Sequence, residues 1–162
     1  MSREYVVSGA GLTLVNAVVT LVFVNPLSPG SSLEFIRCWA SQSQNATSAQ
    51  QRVQLNTQVT AFPTLVSATP SKLKINDPAS EITGGTAGAA GTAGINASAE
   101  GAGGKTVMHQ DAFNVLNGWL WVPTPPETIV VNAKTAAGFG LHFPVAALTL
   151  ANWAFGVVFR EI

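Results

Sequence analysis

The chain reads as all-β: a single antiparallel β-sandwich domain over residues 1–162. Three observations predict this. Apolar residues recur with period two, Pro and Gly punctuate the runs at short intervals, and no window carries a capped helical stripe. About eight to ten short candidate strands at such spacing suggest a jelly roll. A chain of 162 residues can bury one real core but not two comfortable ones.

Taken in order, "REYVVSG" opens in strand-like sequence, with no basic segment leading into an apolar one, so a signal peptide is not expected. Residues 12–24, "LTLVNAVVTLVFV", are the most apolar run. They fall short of the roughly 20 residues of a spanning helix, include Asn16, and are rich in β-branched Val and Thr, which favour strands. No membrane partner is expected. "NPLSPG" (25–30) marks a turn. Residues 33–40, "LEFIRCWA", alternate imperfectly, placing Leu33, Phe35 and Trp39 on a face that also carries Arg37. In 52–61, Val53, Leu55, Thr57, Val59 and Ala61 share one face, and Arg52, Gln54, Asn56, Gln58 and Thr60 share the other. "FPT" (62–64) and "NDP" (76–78) are further turns. Residues 107–116, "VMHQDAFNVL", are the nearest thing to a helix, yet strand is the preferred reading, with Asn117-Gly118 behind it able to end a helix or turn a hairpin. "NGWLWVP" sets Trp119 and Trp121 on one face before the stiff "PTPP" (123–126), and "TIVVNA" (128–133) is a short β-branched run. The C-terminal run "NWAFGVVFREI" aligns Trp153, Phe155, Val157 and Phe159, with Ala154 and Gly156 on the opposite face.

Residues 83–104 are the one low-complexity stretch, with Gly85, Gly88, Gly91 and Gly94 at every third position. The run is too short and too poor in proline for a collagen triple helix. Side chains of Gly and Ala cannot fill a core, so 84–104 reads as an exposed excursion that orders against a neighbouring chain and could be shortened without harm to the sandwich. The stretch ends in Gly-Lys-Thr, but a phosphate-binding loop needs a glycine five residues before Gly104, where Ala99 stands. A strand should also precede such a loop and a helix come after it. "NDPASEIT" and "VMHQDAF" supply neither, so no nucleotide is expected.

Composition narrows the function classes. The chain is 47% hydrophobic but only 10% charged, with formal net charge 0, against about 25% charged in a typical soluble domain. It lacks the clustered Lys and Arg that nucleic-acid binding requires. A surface this weakly charged repels neighbours little, which suits assembly. Cys38 is the only cysteine, ruling out an intrachain disulfide and a thiolate metal site; a small buried hydrophobe is the expectation. His109 and Asp111 are two apart and would share a strand face, and with His142 could hold a metal. Two histidines without a second ligand cluster argue instead for a solvated His109 and a partly buried His142. No G-x-S-x-G elbow is present, and the eight carboxylates make no obvious pair in sequence. The sequons at Asn45 and Asn96 are read as chance. No catalytic residue, metal or cofactor is expected.

The tryptophans Trp39, Trp119, Trp121 and Trp153 give this small chain a large aromatic payload. Most should pack inward. Two readings of the apolar surplus stand side by side: one sandwich buries it all, or part of it, at Trp119, Trp121, Trp153, Phe155 and the glycines Gly85, Gly88, Gly91 and Gly94, forms an interface.

The succession "SSLEFIRCWASQSQNATSAQQRVQLNTQ", "INDPASEITGGTAGAAGTAG", "DAFNVLNGWLWVPTPPETIVV" and "NWAFGVVFREI" resembles small jelly-roll structural proteins of tailed bacteriophages, particularly capsid decoration (cement) proteins. The resemblance spans most of the chain and carries no catalytic motif. It implies a non-enzymatic sandwich, often trimeric, made in the host cytoplasm and bound to the capsid exterior, with the major capsid protein and copies of itself as partners. Two other classes remain: a receptor- or glycan-binding module of a phage fibre, using Trp119 and Trp121 in a groove, and a jelly-roll enzyme, which the scarcity of histidine disfavours.

Overall fold

The computed structural model describes residues 3–162, so Met1 and Ser2 of the 1–162 domain lie outside the described residues. Among the described residues there is no helix; thirteen strands form two sheets. Sheet A contains β1 (Arg3–Leu12), β3 (Leu33–Gln42), β6 (Ser71–Lys72), β10 (Trp119–Trp121), β11 (Ile129–Val131) and β13 (Trp153–Glu161). Its order is β10-β3-β13-β1-β6, with β11 also pairing β3. Sheet B contains β2 (Val19–Asn25), β4 (Gln50–Val59), β5 (Thr64–Ser67), β7 (Thr83–Gly84), β8 (Thr92–Ala99), β9 (Gly104–Asn114) and β12 (Ala137–Phe143). Its order is β5-β8-β2-β12-β4-β9. All pairings are antiparallel except the two-residue contact of β7 with β8.

The core lies between the sheets, as the period-two pattern requires. On β13, Trp153, Phe155, Val157 and Phe159 are all fully buried, in line with the alternation. Phe35 of sheet A stacks on Phe139 of sheet B at 3.8 Å between ring centroids, and Trp153 meets Phe143 edge-on at 4.9 Å. Residues 107–116 are mostly strand: β9 runs to Asn114.

Two expectations are corrected by local geometry. Arg37 and Trp39 do not share the inward face of Leu33 and Phe35. Phe159 pairs with Phe35 but Val158 pairs with Arg37, so Ile36 is an extra, bulged residue. A bulge inverts the alternation beyond it: Cys38 and Ala40 turn inward, and Trp39 turns outward over Gly156.

Nor is 84–104 an exposed excursion. Its second half is β8, hydrogen-bonded between β2 and β5 with Ala93, Ile95 and Ala97 in the core. Small residues cannot fill a wide core, but they let backbones stack closely. A Cβ on Gly94 would collide with Leu65 and with the carbonyls of Gly85 and Val66.

Sheet B also has a covered outer face. Phe23 points away from the core, opposite Gly140, yet is fully buried. Its ring occupies the space that a Cβ on Gly138 would need, and Phe62 lies over it at 5.6 Å. Asn25 donates to the Gly88 carbonyl at 2.8 Å, and Gln58 donates to the carbonyls of Ala61 and Glu100. The solvent-facing amides expected at Asn56 and Gln58 are therefore buried under the chain that links β4 to β9.

Candidate functional site

The outer face of sheet A has no such cover. Leu120 stands between Trp119 and Trp121, so when the tryptophans point inward it must point outward; it is 63% exposed. Val122, Val130 and Leu73 are also exposed, and Trp39 and Ile36 are half-buried. Two shallow depressions mark the face. One of about 340 Å³ is bordered by Ile36, Leu73, Val122 and Val158, and one of about 270 Å³ by Arg37, Trp39 and Leu120. The Arg37 guanidinium sits 5.5 Å from the Trp39 ring centroid. Across three neighbouring strands, Arg160 bonds Glu4 at 2.8 Å and Glu34 at 3.0 Å. The two arginines and two glutamates cancel, so these four groups leave the face no net charge.

The interface residues expected from sequence divide into three groups. Trp153 and Phe155 are fully buried in the chain's own core and have no surface to offer a partner, which corrects that assignment. The four glycines are likewise closed off by their own chain: Gly85 by Thr92, Gly88 by Phe62 and Phe23, Gly91 by Leu27 and Gly94 by Leu65. Trp119, 8% exposed, belongs to the core as well, and only Trp121 is half-buried. The two tryptophans come together with His109 and Asp111 at the open side of the sandwich, where β9 and β10 are edge strands. His109 lies 6.4 Å from Trp119 and 6.2 Å from Trp121, ring centroid to centroid, and Asp111 Oδ2 accepts from Trp119 Nε1 at 3.2 Å. His109 and Asp111 share a face as their spacing predicts.

His142 belongs elsewhere, on the covered face of sheet B. Glu100 accepts from Thr20 N at 2.6 Å, Thr20 Oγ1 at 2.7 Å and Lys105 Nζ at 2.7 Å, and His142 Nδ1 lies 3.4 Å from its Oε2. Burial, together with the Lys105 charge, depresses the His142 pKa to about 4 against the pull of Glu100, so the ring is neutral at pH 7. The Lys105 and Thr20 bonds outweigh desolvation and hold the Glu100 carboxyl below its ordinary range. This cluster tethers the 100–105 turn to the sheet. Lys105 thus has a structural partner in Glu100. No group of three His, Cys, Asp or Glu among the described residues could hold a metal ion. Cys38 is fully buried, which pushes its thiol pKa up. Asn96 is buried with both ends of its amide engaged, by Val15 N and the Thr13 carbonyl.

No protein-family model matches this chain, and no curated protein or solved structure is significantly similar to it.

Missed from the sequence were Leu120, Val122, Trp39 and Leu73. For Leu120 the signal was present, since a residue between two inward tryptophans on a strand faces outward. For Trp39 it was hidden by the bulge.

Proposed function

We propose that this chain is a non-enzymatic virion structural protein, a capsid decoration (cement) protein that associates as a homotrimer and binds the outer shell of a phage head. The observation that carries the reading is the uncovered outer face of sheet A. Four strands at about 4.8 Å spacing and nine residues at about 3.3 Å rise make it roughly 19 by 30 Å. Within it Leu120, Val122, Val130 and Leu73 are exposed, and a contiguous exposed apolar patch marks an interface. Its charges cancel, so copies approach without repulsion. The strand order supports the jelly-roll architecture of the proteins it resembles: β1-β13-β3-β10 on one side and β2-β12-β4-β9 on the other, successive long strands mostly alternating between sheets.

The test is sedimentation of the purified protein alone and with phage heads that lack it. The expected result is a species of three chain masses that pellets with heads, and the loss of both properties in Leu120→Glu. A monomer at micromolar concentration that stays in the supernatant overturns the reading.

A further inference from the structure

The open side of the sandwich, between β9 of sheet B and β10 and β11 of sheet A, is a cleft of about 430 Å³. Its volume lies within the range of small-molecule sites. Trp121 and Ile129 of sheet A face Met108 and His109 of β9 across it, and Thr124 and Glu127 contribute its polar rim.

Three features define what fits. The first is an indole that is only partly buried, so an apolar ring face is available for dispersion contact. The second is a pair of positioned polar groups. Glu127 is fixed by Thr124, whose hydroxyl donates to Oε2 at 2.7 Å and whose carbonyl accepts from Glu127 N at 2.6 Å; Glu127 Oε1 has no protein donor among the described residues. His109 sits beside both tryptophans, and Trp119 is in turn held by Asp111. The third is charge: no lysine or arginine lines the cleft. A phosphate, sulfate or sialic-acid carboxylate would meet Glu127 with nothing to neutralise it. The rim is also stiff, because Pro123, Pro125 and Pro126 fix backbone torsions before any ligand arrives.

A pyranose ring has what this cleft lacks: an apolar C–H face to cover an indole, and hydroxyls that both donate and accept. We propose that the cleft binds a neutral pyranose unit of an oligosaccharide, its C–H face on Trp121 and its hydroxyls on Glu127 and His109. The site adjoins the outer face of sheet A at Val122, but the proposal does not rest on the assembly reading.

The experiment titrates the full chain with neutral tetrasaccharides of glucose, galactose, mannose and N-acetylglucosamine, following tryptophan fluorescence. Sialyllactose and an extended decapeptide serve as controls. At least one neutral probe should saturate with Kd of about 1 mM or tighter. Glu127→Gln, an exposed change that leaves folding intact, and Trp121→Ala should each weaken it about tenfold, or about 1.4 kcal/mol. Absence of saturation by every neutral probe at about ten times that concentration overturns the proposal, as does binding that survives both substitutions. Equal affinity for sialyllactose overturns the charge argument, and binding of the peptide alone assigns the cleft to strand addition along β9 instead.

Discussion

On the outside of sheet B, Phe23 is as inaccessible as any residue between the sheets, whereas on the outside of sheet A, Leu120 is 63% exposed. Both are large apolar side chains that point away from the core. The difference originates in the connection between β4 and β9. That segment adds β8 beside β2, with β5 and β7 on β8, sends the short β6 to the edge of sheet A, and forms turns that fold over Phe23, Asn56 and His142. Nothing comparable grows from the connections of sheet A. One face has been finished within the chain, while the other retains the makings of a contact, and similar hydrophobicity has opposite consequences on the two.

The largest expected effect comes from removing the cover. Replacing residues 84–104 with a short Gly-Ser linker deletes β8, strips β2 of its neighbour and should abolish folding, seen as loss of the cooperative thermal transition. A shortened protein that still melts cooperatively near the parent temperature would show that the two faces differ less than they look. Phe23→Ala comes next. If the cover makes this position a true interior, the cost should match that of Trp153→Ala in the main core, about 3–5 kcal/mol, a fall of about 6–20 °C in Tm.

Acid should loosen the covered face by a smaller amount. The unfolded chain protonates His142 near 6.5, the folded chain only near 4. The stabilisation is complete above about pH 6.5 and is lost as pH falls toward 4, amounting to about 3 kcal/mol. Glu100, whose folded pKa is also depressed, adds a loss at lower pH still. Melting the parent and His142→Gln at pH 7, 5.5 and 4 checks this; the variant should lose less across the window. Smallest in stability is Leu120→Glu on the bare face, expected within about 0.5 kcal/mol of the parent. Its effect should appear in sedimentation as lost association. A large fall in Tm for a monomeric Leu120→Glu would mean the face is not free.

The class of fold was legible because it depends on period-two burial, and the run from Trp153 to Phe159 states that pattern without interruption. What stayed hidden depends on interruptions. One bulged residue, Ile36, reversed the assignment of Arg37 and Trp39, and no residue type announces a bulge of this kind. The strand over Thr92–Ala99 was missed for a different reason: its side chains carry little hydrophobic signal, and its burial comes from the neighbours that Gly94 allows to approach. The open-side cleft was half legible. The tryptophans and the His109–Asp111 spacing were visible, whereas the rim from Thr124 to Glu127 is a turn whose partners only the tertiary structure brings together.

The position of β13 has a consequence for biosynthesis. It is the strand made after every other one described, yet it sits in the middle of sheet A, with β1 on one side and β3 on the other. While a ribosome is still adding residues 153–161, the two earlier strands have no partner between them and the main aromatic layer is missing. Sheet A therefore closes only after residues 153–161 emerge, through pairings that reach back as far as Arg3, which is the slow end of folding topologies. A nascent chain stalled before Trp153 should be protease-sensitive throughout sheet A and should become resistant in one step once residues 153–161 have emerged.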